Sequence, residues 1–201
     1  MTASPRGPAM TPPLPFDGAR AFPRVHAAAA RRVAGWLAQG ESHAPIGAFA
    51  VSVGVETLQL PERVYYQPAR LTTATHAGGL DGLLALCLGS RHHDGFVREA
   101  CLRRLLEAPE PWVIPFVVRL AGEYVVEIVQ AIEDALPALD PLSYGRFFLD
   151  NPRFLDTTGR RVTSYYYAYH AAGYLRRGDE PGSRVLAAFR RMRDAAGAAP
   201  G

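Results

Sequence analysis

Residues 80–105 read LDGLLALCLGSRHHDGFVREACLRRL, and this stretch decides the fold class. Leu80, Leu83, Leu84, Cys87 and Leu88 recur at three- and four-residue steps; Arg91 to Gly95 then form a polar turn, and Val97, Ala100, Cys101 and Leu105 resume the same spacing. The spacing predicts two amphipathic helices joined by a tight turn, with Asp94 placed to cap the second. The plan recurs downstream. Pro111 supplies a first-turn proline, Trp112, Pro115, Phe116, Val118 and Leu120 build a helix ended by Gly122, and Val125, Ile128, Val129, Ile132 and Leu136 form its partner. Setting Val97 against Val125 or Val126 gives an offset of 28 or 29 residues, the mark of two helical hairpins in tandem. Each hairpin carries an apolar stripe that it cannot bury alone, so neighbours must stack.

The string Asp94-Gly95-Phe96-Val97-Arg98-Glu99-Ala100, followed by Leu102 and Leu105-Leu106, resembles the second-helix signature of HEAT repeats, in which a turn Asp precedes a Val-Arg pair and a spaced Ala. Pro115 is similar to the proline that kinks the first helix of that family. The resemblance covers residues 79–136. It departs in the second unit, where Glu123 stands in place of the turn Asp and the repeat is shorter than usual. The resemblance implies a short α-solenoid, a class whose extended surfaces bind other proteins.

Outward from this centre, residues 1–23 hold six prolines (Pro5, Pro8, Pro12, Pro13, Pro15, Pro23), and 1–18 read as a disordered Pro-rich tail. Val25, Ala28, Ala29, Val33, Trp36 and Leu37 predict a helix stopped by Gly40. Residues 46–66 carry a β-branched, partly alternating pattern (Ile46, Phe49, Val51, Val53, Val55, Leu58, Leu60, Val64, Tyr65), interrupted by Gly54 and Pro61, and read as a small β-hairpin or extended arm. After Leu136, Asp140-Pro141 and Asn151-Pro152 each look like a cap with a first-turn proline. Thr157 or Thr158 is expected to cap a helix bearing Val162, Tyr165, Tyr166 and Tyr169, and Ser183 a last helix bearing Val185, Leu186, Phe189 and Met192. The expected fold is mainly α: a short stack of HEAT-like hairpins closed by C-terminal helices, forming a single domain over 19–195, with a frayed tail at 196–201.

Composition narrows the function. The 201 residues hold 22 basic side chains, all arginine, and 19 acidic ones. Without lysine there is no P-loop and no Schiff base. An all-arginine set beside abundant Ala, 19 Gly and 17 Pro fits the codon bias of a GC-rich bacterial genome. Two thiols, no apolar leader and no run of about 18 apolar residues point to a cytoplasmic protein that does not cross a membrane. Charge is segregated: residues 1–75 hold seven Arg and four acids, 76–140 five and ten, and 141–201 ten and five. The acidic middle predicts a basic protein partner touching Glu123, Glu127 and Glu133.

The remaining candidates are weaker. His92, His93 and Asp94 are ligand types for zinc or iron, with His43, His76 and Glu123 as distant additions, yet an inter-helix turn capped by Asp94 accounts for them and no metal or cofactor is expected. Cys87 and Cys101 fall on core stripes, where free thiols act as small hydrophobes. On the helix after Thr158, Tyr165, Tyr166 and Tyr169 belong to the core face, while Tyr167, His170 and Tyr174 lie on another that suits a protein groove or base stacking. The leading expectation is a non-enzymatic protein-interaction or adaptor module using Glu123, Glu127, Glu133, Tyr167, His170, Tyr174, Arg190 and Arg191. Two alternatives stand: a nucleic-acid-binding face of Arg160, Arg161, Arg176, Arg177, Arg190, Arg191 and Arg193 with Tyr167 and Tyr174, and a metal-dependent enzyme using His92, His93 and Asp94.

Overall fold

The hairpin pattern at the centre of the sequence is realised as four helices. In the computed structural model, which describes residues 17–40 and 43–198, α3 spans Gly79–Gly89, α4 Gly95–Leu105, α5 Ile114–Leu120 and α6 Val126–Ala135. Asp94 caps α4 by accepting from the Phe96 amide at 2.8 Å. Leu84 to Gly89 of α3 are all buried, so this helix is enclosed on several sides: α1 (Ala27–Leu37), α2 (Pro68–His76) and α4 all pack on it. All seven residues of α5 are buried. α4 packs on α6 through a core that includes Cys101, Leu102, Leu105, Ile128, Val129 and Ile132. Each fully buried Leu or Ile here contributes roughly 1.5–3 kcal/mol of transfer free energy.

α2 was not expected, because only Leu71 and Thr75 of its residues are buried and the segment has no apolar stripe. In α1 the buried face is Ala30, Val33, Ala34 and Leu37; Val25 lies in a preceding 3₁₀ turn and is exposed, so the stripe sits slightly further along than the sequence pattern places it.

The segment expected as a hairpin or arm is an antiparallel hairpin, β1 (Ile46–Val53) and β2 (Glu56–Arg63), with Val51 opposite Leu58 and Phe49 opposite Leu60. Its two-residue loop places Gly54 at φ +57°, the left-handed value that a Gly-first turn needs. Val51, Leu58 and Leu60 face the core. Beyond β2 the chain stays extended: the Val64 amide donates to Arg91 O and Val64 O accepts from the His93 amide, both at 3.0 Å. The hairpin exit is thereby tied to the α3–α4 turn.

The C-terminal helices are α7 (Pro141–Asp150), α8 (Pro152–Tyr165) and α9 (Pro181–Ala198). Asp140 caps α7, accepting from the Leu142 and Ser143 amides at 3.1 Å. The other three caps differ from expectation. Asn151 makes no cap bond; its side chain crosses to the hairpin. Thr157 and Thr158 lie inside α8 and bond the carbonyls four residues back, because Pro152 has already started the helix. α9 likewise starts at Pro181, so its capping group is the Glu180 carboxylate, which accepts from the Ser183 amide at 2.7 Å. α9 packs on α6 and α7. At the α7–α9 crossing a Cβ on Gly145 would lie 2.4 Å from Met192 O and 2.6 Å from Ala196 Cβ, which explains the glycine. Of the expected tails, 1–16 and 199–201 lie outside the described residues; Asp17 caps a 3₁₀ turn, Gly18 is buried against Ala34, and 196–198 belong to α9. No helix among the described residues is long and apolar enough to cross a membrane.

Candidate interaction surface

The acidic residue expected at the centre of a docking surface is instead internal. Glu123 follows the buried α5 and is 6% exposed, held between Arg63 at 3.1 Å and Arg98 at 3.2 Å. Arg98 is 1% exposed and also donates to His92 O and His93 O at 3.0 and 2.8 Å. Nearby, Glu62 takes an ion pair from Arg119 and lies 3.9 Å from Arg161, while the Arg119 guanidinium sits 5.1 Å from the Phe49 ring centroid. Arg91, fully buried, makes no ion pair among the described residues; it donates to Pro61 O, Glu62 O and Ser90 O. Burial, reinforced by Arg119 and Arg63, lowers its pKa to about 9. These arginines clamp the hairpin to the α3–α4 and α5–α6 turns, and the sequence hid them because charged side chains are read as solvated.

The His92, His93, Asp94 turn belongs to the same clamp. The Asp94 amide donates to His92 Nδ1 at 3.1 Å, so the ring proton is on Nε2, which donates to Tyr66 O at 2.7 Å. Both nitrogens are engaged, and burial keeps the ring neutral by lowering its pKa below 6.5. The His93 ring stacks on Tyr65 at 5.2 Å. Among the described residues no group of three or more His, Cys, Asp or Glu side chains is arranged to hold a metal ion. Burial raises the Cys87 thiol well above its usual value and pushes Cys101 up to about 12, so neither is poised as a thiolate.

One residue beyond Glu123 the chain turns outward. Tyr124 is 49% exposed and meets two tyrosines of the α8 end, with ring centroids 6.1 Å from both Tyr165 and Tyr169, themselves 6.0 Å apart. Tyr165 and Tyr169 were expected in the core. Tyr165, the last residue of α8, is only partly buried, and Tyr169 is turned outward because residues Tyr166–His170 form a π-helical turn, whose wider spacing rotates its later side chains away from the 3.6-residue face; only Tyr166 of the three is buried. Tyr167 and Tyr169 are 68% and 66% exposed. The His170 ring lies between Tyr124 O and Glu180 Oε1, 3.3 Å from each, and fixes the π turn against both the α5–α6 turn and the start of α9.

The other expected contact residues are dispersed. Glu133 is neutralised by a bidentate ion pair with Arg184, Glu127 is exposed on α6 without an ion pair among the described residues, and Tyr174 is partly buried. Arg191 is exposed, and Arg190 lines a groove between α8 and α9 with Asp156, Gly159, Arg160, Thr163 and Ser164. Four of the ten acids of the middle segment are complemented from within: Asp81 by Arg32, Glu99 by Arg103, Glu123 by Arg63 and Arg98, Glu133 by Arg184. Of these, Asp81, Glu123 and Glu133 take a partner from the basic flanks, so the charge segregation seen in the sequence is in part internal pairing. Compared with family models, curated proteins and solved structures, the chain matches none.

Proposed function

We propose that the protein is a non-enzymatic interaction module, in which the α5–α6 turn of a pair of HEAT-like hairpins, α3–α4 and α5–α6, joins the C-terminal end of α8 in a tyrosine surface that docks a protein partner. The observation that supports it is the cluster of the exposed Tyr124 and Tyr169 with the half-buried Tyr165, with centroids 6.0–6.1 Å apart. A tyrosine contributes a large rigid contact area and a polar tip at small cost in side-chain entropy, which is why tyrosines concentrate in the energetic centres of interfaces. The groups that chemistry would need are otherwise occupied: both nitrogens of His92 hold backbone groups, and both thiols are held protonated. With Glu123 buried and Glu133 paired, recognition rests on the aromatic cluster, and a basic partner patch is no longer required.

The test is comparative purification. Tagged wild-type protein and the Tyr124→Ser/Tyr169→Ser variant are recovered from the native host, and co-purifying proteins are quantified by mass spectrometry. A partner retained by the wild type and reduced about tenfold or more in the variant, with an unchanged melting temperature, is the expected result. Equal recovery of every protein by both forms overturns the reading.

A further inference from the structure

The groove between α8 and α9 differs electrostatically from the rest of the molecule. Outside it several arginines are held by carboxylates, as in Arg32–Asp81, Arg103–Glu99 and Arg184–Glu133, which cancels their charge, while Arg70, Arg91 and Arg104 are held by backbone carbonyls. Here the arginines are held by hydroxyls. Thr157 donates to Arg153 O at 2.8 Å and Thr163 to Gly159 O at 2.9 Å. With the hydroxyl protons committed backwards along α8, the oxygen lone pairs accept from Arg160, at 2.9 Å, and from Arg177. Arg160, which lines the groove, and Arg177, which lies at its edge on the lining residue Thr163, are thus fixed in place by neutral posts and keep their full charge. A third, Arg190, reaches in from α9 over Gly159, where an added Cβ would stand 3.5 Å from its Nη2 and 3.3 Å from a Leu186 methyl; it has no ion pair or hydrogen bond among the described residues. The Ser164 hydroxyl, on the groove wall, is likewise uncommitted.

We propose that this groove is a binding site for a phosphate monoester, gripped by Arg160, Arg177 and Arg190. A guanidinium presents up to five N–H donors in a fixed fork matched to phosphoryl oxygens, and each of these three spends one or none internally. Preorganisation by Thr157 and Thr163 removes much of the side-chain entropy that binding would otherwise cost. The groove is open to solvent and offers about 490 Å³, within the usual range for a small-ligand site. Asp156 lines the same groove and repels any anion, a dianion more than a singly charged diester, so the choice of a monoester rests on the summed guanidinium charge, which a dianion neutralises more fully. The inference stands on α8 and α9 alone and does not depend on the tyrosine surface.

Isothermal titration of the full chain at low salt is the test, with four kinds of probe: inorganic phosphate, phenyl phosphate, a serine peptide with and without phosphorylation, and single-stranded oligonucleotides of increasing length. Saturable binding of phenyl phosphate or the phosphopeptide, weakened about tenfold or more in both Arg160→Gln and Arg190→Gln and unchanged in Arg191→Gln, is the expected result. Thr163→Val, which removes the post of Arg177 but no charge, weakens binding as well. Preference for phenyl phosphate assigns a small phosphorylated molecule, and preference for the phosphopeptide a phosphorylated protein segment; either supports the site. The proposal is overturned if no probe binds saturably, if the groove variants bind like wild type, or if a single-stranded oligonucleotide binds more tightly than every monoester with affinity rising with its length, the signature of backbone tracking.

Discussion

Asn151 completes the free edge of β1 by pairing with Ser52, 99 residues away. Its Oδ1 accepts from the Ser52 amide at 2.7 Å and its Nδ2 donates to Ser52 O at 2.8 Å and to Phe147 O at 2.8 Å. A single amide side chain thus acts as a third strand for a two-stranded sheet and anchors the hairpin to the α7–α8 junction. Asn151→Ala strands three buried or half-buried backbone groups, at roughly 1–3 kcal/mol for each that water cannot reach. Asn151→Asp keeps the acceptor but turns a carboxylate toward two carbonyl oxygens, so it is at least as damaging at neutral pH and partly relieved when acid restores an O–H donor. Urea unfolding at pH 7 and pH 4.5 checks this; an Asn151→Ala variant within about 0.5 kcal/mol of wild type would show that the pairing contributes nothing.

Removing Glu123 leaves Arg98 and Arg63 facing each other's charge with one of them almost wholly buried. Breaking one side of a buried ion pair costs about 3–5 kcal/mol, whereas replacing both sides with apolar groups of similar volume costs far less. Glu123→Leu is therefore strongly destabilising, and adding Arg98→Met recovers a large part of the loss. A double-mutant cycle by denaturant unfolding measures the coupling, and additive losses from the two single variants contradict a shared network.

The neutrality of His92 makes stability fall in mild acid. Its folded pKa lies below the usual 6.5 because burial disfavours the charged ring. Below that value the unfolded chain takes up a proton that the folded chain refuses, so the stabilisation is complete above pH 6.5 and is lost progressively as pH falls toward the folded pKa. Unfolding free energies between pH 7.5 and pH 5 decline for the wild type, and His92→Gln, whatever its own stability, flattens the slope. An identical slope in the variant would assign the pH dependence to other groups.

Cys101 lines a cavity of about 270 Å³ beside Arg104 and His76 and yet burial pushes its thiol pKa up to about 12. A thiol reagent such as dithiobis-nitrobenzoate modifies neither cysteine of the native protein at pH 8 within the time in which it fully modifies both in denaturant. Rapid modification of a single native thiol would show an activated nucleophile.

Local signals were legible in the sequence and long-range ones were not. Asp94 and Asp140 are readable as caps because a cap is decided within three residues, and Val51, Leu58 and Leu60 around Gly54 mark an extended segment, while the choice between a hairpin and an arm depends on the pairing that the structure supplies. α2 was hidden because a helix covered on one side only by Leu71 and Thr75 has no stripe to detect. The paired arginines are invisible for a different reason: half-buried Arg63 finds Glu123 at a separation of 60 residues and buried Arg119 finds Glu62 at 57, and nothing local distinguishes them from solvated arginines. Tyr169 reads as a core residue because periodicity assumes 3.6 residues per turn, and the π turn at Tyr166–His170 breaks that assumption; Tyr165, which precedes the turn, is half-buried at the end of α8.

Gly145 links packing to the proposed anion groove. A Cβ there would meet the Met192 carbonyl at 2.4 Å and Ala196 Cβ at 2.6 Å, and a backbone oxygen inside a helix cannot move without carrying α9 with it. Gly145→Ala consequently displaces α9 outward, with a stability loss of about 1–3 kcal/mol from overpacking. Removing the Ala196 methyl in an Ala196→Gly second variant relieves little, since the Met192 carbonyl remains. Because Arg190 rides on the same helix and must sit over Gly159 to join Arg160 and Arg177, the displacement weakens phosphate-monoester binding although no groove residue has changed. Parallel measurement of unfolding free energy and phenyl phosphate affinity checks the linkage; a destabilised Gly145→Ala protein with wild-type affinity would mean that the position of α9 does not set the groove.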